Sequence, residues 1–476
     1  MRLHKIILQL SSSDFTNLSI QLKENKADKF LLLLNHYRIE KTPDEELLAI
    51  LDVKQAAYYT LKSRLFDKIQ EFLFKNTTDT RVELLQNVAN IEHLIYETQR
   101  ETAIGILKKL ESELLEHDMP NELISVYKAL KKLHIHTGKY YEYLQLYNKH
   151  VAYNLAQDKA EEILSLFSKT LGEYYLSRNT DTFTLLILYK KEIVNVCRLN
   201  KSHHLQLNKN ILFTHFALFC PDENEMKDDP SIEEMLADSI SIIDSHPSDQ
   251  TYKYLRQIVN FLYFEYYHQL KLNKNAGKYF DIITASGGDL LLFNHCSFVY
   301  HFLISKIEYY KIEKKENLLI NEEEFTNHGP NIEDLSSFVI FNYYKAAAEY
   351  YAGNHLQAIR ILNNLINEVS FKNYPFAEME IKSFLALLNI IADRFDQAEI
   401  IIRSVSRKIA DEDNDVMYSI PLSFMKLLKT AISTKSANKF EKIKEQYQFF
   451  DSTNNGKYAF LRSLKLDEKT LQFLAK

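Results

Sequence analysis

Residues 343–362 read YYKAAAEYYAGNHLQAIRIL, and this stretch decides the fold. Two helix-forming runs lie on either side of a short segment, Ala352 to His355, that contains Gly353. Glycine tolerates the left-handed backbone conformation that commonly ends a helix. The stretch therefore predicts a helical hairpin with its turn at Gly353.

The next part of the chain follows the same plan. Residues 385–402 read LALLNIIADRFDQAEIII, which predicts a second hairpin with a turn at residues 392–395. The second helix of each hairpin carries a small residue, Ala358 in the first and Ala398 in the second. Their spacing of about 40 residues lies in the range of roughly 20 to 50 that is typical of stacked supersecondary units. The stretch from Phe341 to Lys408 therefore predicts two tandem repeats.

The run from Tyr350 to Ile359 has the pattern aromatic-aromatic-x-Gly-x-x-x-x-Ala-Ile. In this it resembles the tetratricopeptide (TPR)-like repeats, and the resemblance implies an all-α, TPR-like α-solenoid of antiparallel helical hairpins that binds proteins or peptides. The chain departs from that family in two ways, because the standard repeat has about 34 residues and usually opens with tryptophan. This chain has no tryptophan, and its unit is longer. It is similar to a divergent member with longer helices.

The same unit recurs nearer the start of the chain. Ala103, Tyr143 and Phe183 follow one another at the spacing that separates Ala358 from Ala398. The residues four positions after and eight positions before each of them are apolar or aromatic, as a shared buried face requires. Pro120 follows Ala103 at the same distance as Pro375 follows Ala358, where proline favours the first turn of a new helix.

The spacing fails between Phe183 and Ala358, because their separation is not a multiple of the repeat period. An acidic loop at 221–230 and a charged stretch at 314–333 fall in this interval. We therefore predict about eight to ten hairpins in all. The chain divides into four segments: a small N-terminal helical module at 1–78, helical repeats at 79–220, an irregular helical segment with charged loops at 221–335, and C-terminal helical repeats with a capping helix at 336–476.

Composition supports an all-α, cytoplasmic protein. Only 9 glycines and 8 prolines occur in 476 residues, too few for the turns of a sheet-rich fold. The formal charge of −6 gives no general attraction for nucleic acid or an anionic membrane. The three cysteines, Cys197, Cys220 and Cys296, form no Cys-x-x-Cys pair, as expected for reduced thiols in the cytosol. No apolar run approaches the length of a membrane span, so we expect no membrane association.

The N-terminal module contains a candidate helix-turn-helix. A short helix is predicted after Pro43, followed by a tight turn at residues 52–54 and a long helix from Gln55 to about Phe74. This opening segment also resembles uncharacterised helical-repeat proteins of the Bacteroidota, and that resemblance implies no activity. Acidic residues interrupt the basic ones in the long helix, so we expect no nucleic-acid binding. The alternative is that residues 42–74 contact DNA.

The sequence contains no constellation typical of catalysis, so we predict neither catalytic residues, nor a cofactor, nor a metal site. No glycine-rich phosphate loop is present. His134 and His136, and the neighbours His203 and His204, lack the spacing that brings metal ligands onto one helical face. The recurring Gly-Lys-Tyr at 138, 277 and 456 predicts helix-ending turns with a packed aromatic ring.

The abundance of tyrosine is the most informative feature of the composition, with 30 tyrosines in the chain beside 29 phenylalanines. Most of these rings are expected to fill gaps between long helices. The alternative is that Tyr344 and Tyr351, on the first helix of a hairpin, line a concave groove and contact a partner. We expect a non-catalytic scaffold that binds a protein or peptide. The alternative is a transcription regulator whose N-terminal helix-turn-helix is governed by the repeat domain.

Overall fold

The computed structural model describes most of the chain. The described residues are 3, 6, 7, 10, 12–39, 44–51, 53–75, 80–220, 226, 227, 229–247, 249–285, 290, 298–321, 329–411, 415–433, 438–454 and 459–475. Throughout these residues the regular structure is helical and contains no β-strand. The all-α prediction is confirmed at this level, whereas Cys296, Pro43 and Gly456 lie outside the described residues.

The helices are numbered in chain order. They are α1 Ser12–Glu24, α2 Asp28–Ile39, α3 Asp44–Leu51, α4 Gln55–Lys75, α5 Thr80–Ala89, α6 Ile91–Glu97, α7 Arg100–Glu116, α8 Pro120–Leu133, α9 Lys139–Ser177, α10 Thr180–Leu199, α11 His203–Phe219, α12 Ile232–Ser245, α13 Gln250–Gln269, α14 Asn273–Ala285, α15 His301–Glu313, α16 Leu335–Tyr351, α17 His355–Glu368, α18 Pro375–Ile391, α19 Phe395–Asp411, α20 Asp415–Ile432, α21 Lys439–Thr453 and α22 Glu468–Ala475. A 3₁₀ helix at Glu316–Asn321 follows α15.

Consecutive helices pack against each other in pairs. The most extensive contacts join α13 with α14, α18 with α19, α16 with α17, α11 with α12, and α20 with α21. Short connections make α13–α14, α16–α17 and α18–α19 helical hairpins. The two hairpins predicted between Phe341 and Lys408 are the pairs α16–α17 and α18–α19.

The hairpin turns at Gly353 and Asp393, one repeat period apart, have the same hydrogen-bond pattern. Gly353 has φ +80° and Asp393 has φ +57°, so both are left-handed. In each turn the residue that follows donates its N–H to the carbonyl five positions back: Asn354 to Glu349 over 2.9 Å, and Arg394 to Asn389 over 2.8 Å. Such a turn satisfies the free carbonyl groups at the end of a helix. The helices before Lys26, Asp118, Lys271 and Lys314 end in the same way.

The predicted start signals are confirmed, but one predicted turn is absent. Pro120 and Pro375 are the first residues of α8 and α18. Tyr143 and Phe183 lie near the starts of α9 and α10, yet α9 is a single helix of 39 residues where the spacing had predicted a hairpin. Between residues 140 and 171 the chain has neither glycine nor proline, so nothing in this stretch ends the helix.

The chain forms two compact units, Met1–Leu155 and Ala156–Lys476. The first contains two hydrophobic clusters, one built from residues between 3 and 72 and one from residues between 84 and 147. The second is built around one large cluster that runs from Ile163 to Leu474. The division into four segments remains a prediction. No described helix has both the length and the apolar composition needed to cross a lipid bilayer.

Candidate functional site

In the unit Ala156–Lys476, a non-helical segment lies against the side chains of several helices. We call residues 459–467, between α21 and α22, the strap. We call the surface that it contacts, formed by α15, α16, α18 and α20, the groove. Phe460, Leu461, Ser463 and Leu466 of the strap are buried. A segment without regular structure must find hydrogen-bond partners for its buried main chain, and the groove supplies them.

Lys311 and Glu380 hold the centre of the strap by its main chain. The Lys311 Nζ donates to the carbonyl oxygens of Arg462, at 2.8 Å, and Leu464, at 3.1 Å. The Glu380 Oε1 accepts from the Leu461 N–H over 2.8 Å. Bonds that involve a charged group are about twice as strong as neutral ones. These contacts therefore bind the main chain of the strap and do not depend on which side chains it carries.

Two tyrosines at the end of α16 extend these main-chain contacts. The Tyr351 hydroxyl donates to the Ser463 carbonyl oxygen over 2.8 Å, and the Tyr350 hydroxyl donates to the Lys465 carbonyl oxygen over 3.4 Å. Burial raises the pKa of the Tyr351 hydroxyl, so it remains a donor at neutral pH. The groove thus contacts main-chain atoms of five consecutive strap residues, 461 to 465.

The positions of these groups follow from helical spacing. Glu308 and Lys311 are three positions apart on α15, and Phe376 and Glu380 are four apart on α18. Residues at these spacings lie on the same face of a helix. Each helix therefore presents two of its groups together to the strap.

Phe460 is held by its ring and by its main chain. Its ring centroid is 5.9 Å from that of Phe376, edge to face, and 6.2 Å from that of Phe424. The Asn454 side chain accepts from the Phe460 N–H over 2.7 Å and donates to the Phe460 carbonyl oxygen over 2.6 Å. The ring is 1% exposed. These contacts form an aromatic subsite at the start of the strap.

Arg462 enters an acidic subsite. Its guanidinium pairs with the Glu308 carboxylate, which also lies 3.5 Å from His268 Nε2. Burial alone would raise the pKa of Glu308, but the charge of Arg462 and the bonds from His268 and Arg462 hold it below its usual value. Burial raises the pKa of Glu265, which is fully buried nearby and interacts electrostatically with Arg462.

Burial in the groove also shifts the pKa values of Lys311 and Glu380. Burial lowers the pKa of Lys311, although Glu308 opposes this shift. Burial raises the pKa of Glu380 to about 7, against the opposing effects of the Leu461 N–H and the positive charge of Arg178. Glu380 therefore titrates near neutral pH while it contacts the strap.

The strap leaves space in the groove. A cavity of about 230 Å³ lies beside the strap, lined in part by Phe424, Phe450 and Leu461. A larger cleft of about 690 Å³ is lined in part by His268 and Lys271. The strap therefore occupies the groove without filling it.

The predicted site residues Tyr344 and Tyr351 have different environments. Tyr344 is completely buried in the hydrophobic core of its unit, which matches the packing role expected of most tyrosines. Tyr351 is half-buried and contacts the strap. Between them, only Tyr351 is placed where a segment in the groove can touch it.

Sequence reasoning missed the other groove residues. Lys311, Glu380 and Arg462 are far apart in the chain, so no local pattern links them. The local pattern does not single out Glu380, which lies between Glu378 and Lys382, or Arg462, which is followed by Lys465; only the structure shows which of these charges contacts the interior. Such a charge, when buried, usually needs a specific partner.

The histidine pairs of the sequence also have defined environments. His203 Nδ1 and His204 Nδ1 lie 2.5 Å and 3.0 Å from the Tyr252 hydroxyl. The His203 ring stacks on that of His246 at 3.7 Å, and His204 Nε2 lies 3.7 Å from an oxygen of Asp249. The contacts with His246, at the end of α12, and with Asp249, before the start of α13, join residues distant in the sequence, which sequence spacing could not reveal.

The pair in the other unit has a local role. His134 is buried, and its Nδ1 lies 3.0 Å from the Thr137 hydroxyl, while His136 is exposed. Burial lowers the pKa of His134, with a further effect from Arg100. Both histidines follow α8, which ends at Leu133, so they differ in environment because they lie in a turn, and the helical spacing assumed for them does not apply.

One glycine prediction is wrong. Gly277 lies inside α14, not at a helix end. A Cβ atom there would be 2.8 Å from the Tyr309 hydroxyl, so close packing between helices accounts for the glycine. The packed aromatic part of the prediction is correct, because Tyr279 stacks on Tyr263 with centroids 4.6 Å apart.

The N-terminal helices α3 and α4 lie where the short helix and the long helix were predicted. On the exposed side of α4, Arg64 and Lys68 alternate with Asp67 and Glu71. Since phosphate contacts dominate DNA affinity, a face with balanced charge offers no net attraction. DNA contact by this module remains a prediction.

Comparison of the chain with protein families, with curated proteins and with solved structures found no match.

Proposed function

We propose that this protein is a non-catalytic, TPR-like α-solenoid whose groove binds a non-helical segment of a partner protein. The observation that carries the proposal is the strap, which the groove already holds through five consecutive residues of main chain. Main-chain atoms are the same in every sequence, so a segment from another protein can accept the same bonds.

The arrangement of helices supports this proposal. The strap contacts the first helices of the α16–α17 and α18–α19 hairpins, together with α15. In stacked helical repeats, one helix from each unit contributes to a shared concave surface, and such surfaces bind extended or irregular segments. The repeated turns at Gly353 and Asp393, and the resemblance of the run from Tyr350 to Ile359 to TPR-like repeats, agree with this class.

The groove residues favour binding over chemistry. Lys311 and Glu308, the charged residues of α15 in the groove, are engaged with the strap main chain and with Arg462. Binding of this kind uses preformed donors and acceptors and needs no cofactor. Cys197 and Cys220 are thiols, which suits the cytoplasm, where we place the protein.

The proposal is tested by selection from a random peptide display library against the full-length protein. We expect enrichment of peptides that no longer bind the double variant Lys311→Met, Tyr351→Phe, which removes donors from the groove. The matched control is Lys109→Met, Tyr96→Phe, in which the same changes fall on exposed residues of α7 and α6. If no peptide is enriched, or if the selected peptides bind the groove variant unchanged, the proposal is wrong.

A further inference from the structure

Two strap side chains enter subsites that differ in chemistry and lie close together along the chain. Phe460 occupies the aromatic subsite between Phe376 and Phe424, and Arg462 occupies the acidic subsite at Glu308. The residue between them, Leu461, has φ +53°, which places the two side chains in their separate subsites. The groove therefore has a spacing requirement as well as main-chain contacts.

The acidic subsite is suited to a guanidinium group. Glu308 is largely buried, and the fully buried Glu265 adds a second carboxyl group whose field acts on Arg462. A buried carboxylate needs a partner charge, and a planar guanidinium offers several donors in a fixed geometry that an ammonium group lacks. An arginine is consequently the side chain that this subsite selects.

Two observations indicate that the strap can be displaced. Leu461 is a non-glycine residue with a left-handed backbone, a conformation that brings its Cβ atom too close to a carbonyl oxygen and is therefore strained. The strap leaves the cavity of about 230 Å³ beside Phe424 and Phe450 unfilled. A segment that avoids the strain or fills the cavity can compete with it.

We propose that the strap is an internal competitor for the groove, and that the partner segment which displaces it carries an aromatic residue two positions before an arginine. This inference rests on the proposed function, and it names the chemistry of the segment. The main-chain contacts contribute affinity for any sequence, while the aromatic and acidic subsites select this pair of side chains. When the partner is absent, the strap covers Glu308 and the aromatic rings.

The test uses the full-length Arg462→Ala variant and a capped synthetic nonapeptide with the strap sequence, AFLRSLKLD. In this variant the strap no longer neutralises Glu308, so the peptide supplies the missing guanidinium. A hydrogen-bonded charge is worth enough to change binding by a factor on the order of 10 to 100. By fluorescence anisotropy we expect the peptide to bind the variant at least about tenfold more tightly than the wild type.

Three controls make the result specific. Arg360→Ala removes an exposed arginine from α17, and we expect it to bind the peptide as the wild type does. Peptides in which the arginine or the phenylalanine is replaced by alanine should lose binding to Arg462→Ala. Thermal unfolding gives an independent measurement, since the strap peptide should raise the melting temperature of Arg462→Ala more than the arginine-free peptide does.

The outcomes separate this inference from the proposed function. If Arg462→Ala is too unstable, Asn454→Ala loosens the strap at Phe460 and should also increase peptide affinity. The inference is overturned if neither variant binds the peptide more tightly than the wild type, or if the arginine-free peptide binds equally well. Should the display selection enrich groove-dependent peptides without an aromatic-x-arginine pattern, the proposed function stands and only this inference fails.

Discussion

The Glu380→Gln substitution tests whether loss of solvent around the carboxyl group that holds the strap raises its pKa. Burial raises the pKa of Glu380 from 4.5 to about 7 in the folded protein. In the unfolded chain the group is solvated and has its ordinary pKa. Between about pH 4.5 and pH 7, the folded protein therefore keeps a proton that the unfolded chain has released.

The sign of the effect follows from this difference in bound protons. Because the folded state binds more protons, the free energy of unfolding falls as the pH rises through this window. The contribution of protonated Glu380 is complete below about pH 4.5 and is lost above about pH 7. Each pKa unit corresponds to about 1.4 kcal/mol, which sets an upper value of about 3 kcal/mol. Because the side chain is only half-buried, we expect about 2 kcal/mol.

Glutamine removes the titration but keeps an oxygen that can accept from the Leu461 N–H. We therefore expect the variant and the wild type to have similar stability near pH 5, and the variant to be more stable by about 2 kcal/mol near pH 8. Urea unfolding followed by circular dichroism at several pH values measures both differences. Glu368→Gln, at an exposed carboxylate of α17, controls for the loss of one charge. A stability difference that is constant with pH, or larger at low pH, would refute the argument.

Further predictions concern packing and can be checked by the same denaturation measurements. Tyr344→Ala should lower the free energy of unfolding by about 3 to 5 kcal/mol because it empties a core position, whereas Tyr351→Phe should cost only about 1 kcal/mol for the lost hydroxyl. Tyr252→Phe should cost about 1 to 3 kcal/mol, since its hydroxyl lies between two imidazole rings. Gly105→Ala should stabilise α7 by up to about 1 kcal/mol, because a Cβ there meets nothing within 4 Å. Gly172→Ala should destabilise by about 1 to 3 kcal/mol, because its Cβ would lie 2.7 Å from a serine Cβ in α16.

The parts of the fold that the sequence predicted are those with local causes. The turn at Gly353 depends on the conformational freedom of one residue, and the starts of α8 and α18 depend on Pro120 and Pro375. The turn at Asp393 was predicted from its likeness to the first, although aspartate carries no such freedom. The single helix α9 was not predicted, because a repeating apolar face is compatible with either one long helix or two short ones.

The groove could not be predicted because its causes are not local. Tyr344 and Tyr351 are two helical turns apart and share a helical face, yet one lies in the core and the other meets the strap. Which of them is accessible depends on residues 459–467, a distant part of the chain. The burial of Arg462 likewise depends on its ion pair with Glu308, a residue that lies far from it in the sequence.

Because the strap belongs to the same chain as the groove, a partner must bind the groove tightly enough to displace it. A short tethered segment has an effective concentration on the order of 1 mM at its own binding site. If the strap sequence had an intrinsic Kd of about 10 μM, it would occupy the groove in about 99% of molecules and weaken a partner about 100-fold. To recover this 100-fold loss, the binding free energy of the partner segment must be about 2.7 kcal/mol more favourable than that of the strap sequence. The structure offers two sources for this energy, which are the unfilled cavity beside Phe424 and the left-handed conformation of Leu461. A segment with a larger side chain in place of Ala459, which lines this cavity, and with a residue after the aromatic one that accepts the left-handed conformation without strain, would gain from both.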